Sequence, residues 1–404
     1  MAVAFVLTAS GNFGGAQRRF ANLFLWINKN KKQNVYFFIS EYYYQQIKEL
    51  YSSYPFENVF VIDNRIKYRN RNKTLKTLKT TNIEDDKAHY KKHKELSFIH
   101  KTWKFYKNLY INYRVYLNIR KLEKKLKITS FIAVYNSIIP LYFYLKKNKK
   151  RNIAFVNMDS WFSAIHPINK KFWYLKYATF NYALNRVPVI DFLSPFICHG
   201  LKNKGFDFRN SQIHFTPGSF TNYEMCKQGS KKPFSIAFAG RLEPDKNPLM
   251  LLEAIKILNE QDIQIPCYIL GRGNLETTIK EKIKQNKLNN VMLMGFHKNP
   301  PEILQSTSIF VSLQSTNNYP SQSVLEAMAC GNAIIATNVG DTSLFVNTQN
   351  GILINRNPNE LANAIKYLYL NDIELEKRIK YSYDYVRNNH TVDKIADYYL
   401  RLFN

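Results

Sequence analysis

Short apolar runs alternate with stretches whose apolar residues recur every three or four positions, almost from end to end of the chain. The first kind suits strands buried on both faces, and the second suits helices with one apolar side. Strands are expected at 3–8, 35–40, 59–63, 131–135, 153–157, 189–193 and 212–216, with helices at 16–28, 103–127, 170–185 and 195–204. The second half is more regular, with strands at 235–239, 267–270, 291–294, 309–313, 334–337 and 352–354. Its helices fall at 248–260, 275–287, 301–306, 323–330 and 359–370. Strand and helix in strict alternation predict an α/β chain with parallel sheets covered by helices. Residues 66–101 keep no period and read as a charged insertion, in part helical. Residues 222–233 are polar, basic and patternless, as a linker between domains would be. Aromatics at helical spacing predict a helical end over 374–403.

A length of 404 residues suits two domains. The boundaries expected are 1–221, with an insertion at about 65–127, then 222–384, then a last helix over 385–404. No apolar run approaches the roughly 20 residues that span a bilayer. The N-terminus, Met-Ala-Val-Ala-Phe-Val-Leu, lacks a basic flank and reads as a first strand, not a leader. Cys198, Cys226, Cys267 and Cys330 are scattered without metal-like spacing, which points to a reduced, cytoplasmic setting and no metal site. Glu84-Asp85-Asp86 reads as a solvated run.

The net charge of +28 changes the picture. A surplus this large calls for nucleic acid, an anionic membrane surface or an anionic substrate. It is unevenly placed. Residues 65–127 hold 20 Lys and Arg against 5 Asp and Glu, more than half of the excess.

The candidate chemistry lies at strand ends. In Pro320-Ser321-Gln322-Ser323-Val324-Leu325-Glu326-Ala327-Met328-Ala329-Cys330-Gly331 a turn at Asn318-Tyr319-Pro320 leads into a helix with a polar first turn. The amides that open such a helix, with its dipole, make an anion site. Ser323 and Glu326 have the spacing of a capping box, so Glu326 either caps its own helix or accepts hydrogen bonds from sugar hydroxyls. A second loop, Gly240-Arg241-Leu242-Glu243-Pro244-Asp245-Lys246, brings two cations before a helix that begins at Pro248. Cations are disfavoured at a helix start, so an anion between Arg241 and Lys246 accounts for them better than chance. Gly14-Gly15-Ala16-Gln17-Arg18 opens the first helix, where a glycine pair lets backbone approach a ligand. Leu270-Gly271-Arg272-Gly273 and Met294-Gly295-Phe296 end two further strands.

The 320–331 stretch resembles the donor-binding helix of retaining GT-B glycosyltransferases of group 1 (family 4), whose motif is two Glu residues with seven between them. The resemblance implies two Rossmann-like domains facing each other across a cleft, with the last helices crossing back onto the first domain. It implies that Glu326 binds the ribose of a nucleotide sugar, and that Asn318 stands where the family's first Glu approaches the transferred sugar. The loop at Arg241 and Lys246 resembles the family's Gly-Arg-Leu, three residues, Lys motif, which binds the donor diphosphate and stabilises the departing nucleotide. Gly14 and Gly15 then face the donor phosphates or the acceptor. Gly240, Gly271, Gly295 and Phe296 surround the donor, and Tyr319, Pro320, Ser321, Gln322, Ser323 and Val324 line its helix side. Gln17 replaces the family's usual Glu. Gln17, Arg18, Asp159 and His166 are acceptor-side candidates, though surface roles suit Asp159 and His166 equally. The expected activity is retaining transfer from a nucleotide sugar, UDP-sugar before GDP-sugar, to a glycan or lipid-linked acceptor in cell-surface polysaccharide synthesis. No cofactor or metal is expected, and no nucleic acid. The place expected is cytoplasmic, peripheral on the inner face of an anionic membrane. The rival readings are a nucleic-acid-binding protein, from the charge, and an impaired GT-B protein that binds a sugar nucleotide without transfer, from Asn318.

Overall fold

Strands of four to six residues, each followed by a crossover, assemble into two separate sheets. The structure is a computed structural model. It describes residues 2–8, 15–30, 34–51, 56–62, 98–147, 152–157, 180, 182–217, 219–220, 226–231, 233–297, 299–317, 319 and 321–403. The chain divides into two units. One comprises Met1–Asn157, His166–Ile190 and Asn203–Ile213, the other Met158–Ile165, Asp191–Lys202 and His214–Asn404.

The first sheet has the order β3-β2-β1-β4-β5-β6-β7. Its strands are β1 (Val3–Leu7), β2 (Val35–Ser40), β3 (Val59–Ile62), β4 (Ser130–Val134), β5 (Asn152–Asn157), β6 (Val189–Phe192) and β7 (Gln212–Phe215). From β3 to β5 every pairing is parallel. β1 and β4 are buried along their whole length, which is why they read as unbroken apolar runs. The order reverses between β1 and β4. There the Thr8 amide donates to the Ser137 hydroxyl at 3.0 Å, and Tyr135 takes a left-handed conformation with φ of 52°. Strain of this kind collects at functional strand ends.

The helices described in this half are α1 (Gly15–Asn30), α2 (Glu41–Leu50), α3 (Phe98–Leu126), α4 (Ile138–Lys147) and α5 (Pro195–Lys202). Two of them escape the apolar period. In α2 only Tyr43 and Ile47 are buried, too few to stand out among its tyrosines. α4 is apolar almost all round, Ile-Ile-Pro-Leu-Tyr-Phe-Tyr-Leu, with Pro140 tolerated in its first turn.

The second sheet, β10-β9-β8-β11-β12-β13, is parallel throughout. It comprises β8 (Ile236–Ala239), β9 (Cys267–Leu270), β10 (Val291–Gly295), β11 (Ile309–Ser312), β12 (Ala333–Thr337) and β13 (Gly351–Ile354). Its helices are α6 (Pro248–Asn259), α7 (Glu276–Gln285), α8 (Pro301–Leu304), α9 (Gln322–Ala329), α10 (Pro358–Leu370), α11 (Asp372–Asn389) and α12 (Val392–Leu400). One face of the sheet packs on α6 and α10 through Leu251, Ile255, Leu361 and Ile365, the other on α9 through Val324, Leu325 and Met328. This is the Rossmann order, and its reversal lies between β8 and β11, where such sheets bind ligands at the strands' carboxyl ends.

The segment read as a linker is anchored where it is described. The Lys231 ammonium donates to the carbonyls of Leu304, Thr307 and Cys330 at 3.1, 2.9 and 2.7 Å. Burial lowers its pKa to about 8. The 374–403 stretch is helical as expected, in two helices that break at His390 and Thr391. His390 is buried with Nδ1 3.0 Å from the Ser219 carbonyl. The Tyr398 and Tyr399 hydroxyls both donate to the buried Asp191 carboxylate. The four cysteines are buried and none is in a disulfide. Among the described residues no helix is long and apolar enough to cross a membrane.

Candidate functional site

The loop after β8 and the loop before α9 meet at the point where the second sheet reverses. Backbone fixes the first of them. The Gly240 amide donates to the Leu270 carbonyl at 3.0 Å, the Leu242 amide to Arg272 at 2.9 Å, and the Leu275 amide back to Leu242 at 2.9 Å. Two glycines allow this crossing. A Cβ on Gly271, whose φ is 139°, would lie 1.8 Å from the Gly240 carbonyl oxygen, and one on Gly273 would lie 2.4 Å from that of Leu242. Gly240 differs, since a Cβ there meets nothing within 4 Å. Its missing side chain leaves space open in front of the loop. Leu242 is fully buried and pins the loop's middle, so Arg241 points away with 70% of its side chain exposed.

A short 3-10 turn, Pro244–Lys246, then carries Lys246 toward the second loop. Its Nζ donates to Gln314 Oε1 at 2.7 Å, and only 15% of the side chain is exposed. The Ser315 amide and hydroxyl reach the Asp245 carbonyl at 2.9 and 3.3 Å. The Asp245 carboxylate lies 3.4 Å from the Arg241 guanidinium and 3.7 Å from Lys246 Nζ. Two cations from one loop thus share one carboxylate, at a spacing that a diphosphate oxygen could take over. The more exposed of the two pairs, Arg241 with Asp245, stabilises the fold little.

The second loop is equally constrained. Thr337 Oγ1 donates to the Gln314 carbonyl at 2.7 Å. Asn317 Oδ1 accepts the Asp341 amide at 3.0 Å. Gly340, with φ of 56°, sits so close that a Cβ would meet the Asn317 side chain at 2.5 Å. Tyr319 packs its ring against Phe345, and burial pushes its hydroxyl up to about 12.

The capping box expected at Ser323 and Glu326 does not form. The N-cap is Ser321, with extended backbone and no side-chain cap bond, and its hydroxyl meets Ser323 Oγ at 3.0 Å instead. Tertiary closure of the turn decides which serine caps the helix, and two serines two apart cannot be told apart by spacing. By topology the start of α9 lies beyond the carboxyl end of β11, the strand next to β8. Glu326 is half-buried one turn in, and Gln322 Nε2 donates to it at 3.4 Å and to the Phe220 carbonyl at 3.3 Å. Val324 is buried in the core and offers a ligand only its backbone.

Gly295 has φ of 67° and open space where its Cβ would be. Its carbonyl accepts the Gly271 amide at 2.7 Å, which joins the strand ends after β9 and β10. Phe296 beyond it is 64% exposed. The structure therefore brings Gly240, Arg241, Lys246, Gly271, Gly295, Phe296 and Ser321 through Glu326 to the carboxyl end of one sheet. Asn318 and Pro320 lie outside the described residues.

In the other unit Gly15 opens α1. Gln17 hydrogen-bonds Tyr43, whose hydroxyl burial pushes up, so packing alone gives Gln17 a partner. Arg18 sits in the same first turn. Gly14, Asp159 and His166 lie outside the described residues. Sequence reasoning missed Gln314, Asp245 and Asn317. For Gln314 the available signal was its place just beyond the end of β11.

The family model described as glycosyl transferases group 1 matches residues 224–385. The chain is 25% identical over 205 residues to the poly(ribitol-phosphate) alpha-N-acetylglucosaminyltransferase of Staphylococcus aureus, covering 49% of this chain and 40% of that protein. It is 30% identical over 183 residues to the UDP-Gal:alpha-D-GlcNAc-diphosphoundecaprenol alpha-1,3-galactosyltransferase of Escherichia coli, covering 42% and 46%. The chain thus spans less than half the length of these curated relatives. The crystal structure of Anabaena Alr3699/HepE in complex with UDP and glucose is similar over 99% of each chain, with a TM-score of 0.68 at 14% identity, a likeness of fold. Residues 224–385 thus form a group 1 glycosyltransferase domain, in a chain that has the GT-B fold.

Proposed function

We propose that this chain is a retaining glycosyltransferase that moves a sugar from a nucleotide sugar, UDP-sugar before GDP-sugar, to a glycan or lipid-linked acceptor. One observation carries the reading. Arg241 and Lys246 converge from a single loop on one carboxylate, against the segment after β11 that leads into α9. Fixed cations with helix amides are what a departing nucleoside diphosphate needs. The names of the relatives, a UDP-Gal transferase to a diphosphoundecaprenol acceptor among them, support the donor and acceptor classes.

In this reading Arg241 forks onto the diphosphate, and Lys246, positioned by Gln314, neutralises the oxygen that leaves. Glu326 accepts from the ribose hydroxyls. The bond from the anomeric carbon to the phosphate oxygen breaks, and the acceptor oxygen bonds that carbon on the same face. The acceptor's proton passes to the leaving phosphate, so no separate strong base is required. The first test is thermal shift with a panel of UDP- and GDP-sugars, with and without Mg²⁺. Ligand that binds only the folded state raises the melting temperature, and the expected rise needs no metal. Glu326→Gln should weaken nucleotide binding by about 1–3 kcal/mol and barely move the melting point. No shift with any nucleotide sugar, or shifts only with metal, would overturn the site. A Glu326→Gln protein that binds normally but melts much lower would make Glu326 a structural residue.

A further inference from the structure

The long helix α3 has two unlike faces. Val115, Tyr116, Ile119 and Glu123 are buried, with Tyr116 packed on Tyr144 of α4 at 4.8 Å between ring centroids. On the other side Trp103, Tyr106 and Tyr110 are 56%, 63% and 51% exposed. Their spacing, three then four, keeps them in one stripe of a helix with about 3.6 residues per turn, on the side away from Ile119. Cations are set among the rings. Lys107 Nζ lies 4.9 Å from the centre of the Trp103 ring, and the Arg114 guanidinium reaches the Tyr110 hydroxyl at 3.5 Å. Further along the helix Arg120, Lys121, Lys124 and Lys125 are exposed.

The charge on this face is of one sign. Glu123 is the only acid in α3, and it is buried, accepting the Tyr144 hydroxyl at 2.5 Å. Exposed Trp and Tyr prefer the level of lipid headgroups, where the ring is sheltered and the polar edge stays wet. Lysine and arginine stems lie along such a boundary with their heads toward anionic groups. Both features lie along the exposed face of one 29-residue helix. Such a face fits a plane, whereas single-stranded nucleic acid is held in a groove with stacking platforms.

We infer that α3 is a membrane-docking element, and that its exposed face lies on an anionic lipid surface with Trp103, Tyr106 and Tyr110 at headgroup depth and Arg120 through Lys125 above the lipid phosphates. The contact is peripheral and reversible, since neither attraction alone holds a protein firmly. It does not depend on the donor reading, because lipid binding is measured without any nucleotide.

The test is flotation of the full chain with phosphatidylcholine vesicles, with and without phosphatidylglycerol, at low and high salt. Binding is expected to the anionic vesicles at low salt. Trp103→Ala/Tyr106→Ala/Tyr110→Ala should reduce it by roughly tenfold or more. Arg120→Gln/Lys121→Gln/Lys124→Gln should reduce it comparably and remove most of its salt dependence. Far-UV circular dichroism should be unchanged in both, as the side chains are exposed. As a readout that needs no loss of function, a blue shift of tryptophan emission on adding anionic vesicles should be absent from Trp103→Phe. Equal binding to neutral and anionic vesicles, no binding to either, or wild-type binding by both triple variants would overturn the inference. So would single-stranded RNA that displaces the protein from vesicles at matched phosphate concentration.

Discussion

Cations are used in two opposite ways in the two halves of the chain. In the second unit Arg241 and Lys246 are few, placed by backbone, and already engaged with Asp245 and Gln314. In α3 the cations are many and exposed, and the helix's one acid is turned inward. Position gives the first pair its meaning, because a shift of an ångström would separate the two charges from a common anion. Number gives the second set its meaning, because a diffuse field adds over many sites and needs no fixed geometry. A single substitution should therefore be severe in the first region and slight in the second.

The largest effect is expected at Lys246. Lys246→Ala should lower sugar transfer on the order of 10²–10³-fold, as loss of one preorganised charge-stabilising group does, about 3–4 kcal/mol in the barrier. Some stability should be lost as well, on the order of 1 kcal/mol, since the side chain is largely buried and hydrogen-bonded to Gln314. Gln314→Leu should do less, about tenfold, because it removes one bond that positions Lys246 Nζ and leaves the charge in place. The check is steady-state transfer with thermal unfolding of each variant alongside. If Lys246→Ala transferred sugar at the wild-type rate, placed and diffuse charge would no longer differ here.

The contrast also explains what the sequence could show. Strands β8, β9, β11 and β12 were legible because they are buried along almost all of their length. β9 lies over the residues expected, 267–270, and β12 differs by one residue at its start. Arg241 and Lys246 were legible because they sit five apart in one loop. Their partner was not, since Gln314 lies 68 residues from Lys246 and only the order of strands β8 and β11 brings them together. Local rules failed where tertiary contacts decide. Ser321, not Ser323, takes the N-cap position of α9. A helix was missed at Glu41–Leu50, where two buried side chains carry the packing. The break at His390 hid within a helical period that continues on both sides.

That break supplies a second, smaller test, and it concerns a cation the fold refuses. Burial lowers the His390 pKa to about 4, against 6.5 in the unfolded chain. Between these values the unfolded chain binds more protons than the folded one, so stability rises with pH through the window. The contribution is complete above about pH 6.5 and is lost as pH falls toward 4. At most about 3 kcal/mol is involved, from the difference in pKa. Urea unfolding from pH 4 to 7 should show a steeper slope for the wild type than for His390→Gln, whose amide can still donate to the Ser219 carbonyl. Parallel profiles for the two proteins would mean that His390 titrates normally and is not sealed from water.

The smallest effect should come from the diffuse charge. Arg120→Gln/Lys121→Gln/Lys124→Gln removes three positive charges from a chain of net charge +28. Each side chain is exposed, so no buried contact is lost, and the change in unfolding free energy should stay within about 0.5 kcal/mol. Its sign should be stabilising, because like charges repel in the folded state more than in an expanded chain. Salt should shrink that gain, since exposed charges beyond about 10 Å are screened at 0.1 M. The measurement is the melting temperature of wild type and triple variant at low and high ionic strength. The two should converge as salt is added. A variant that melts well below the wild type at every salt concentration would show that these cations hold fixed partners, and the two regions would then use charge in the same way.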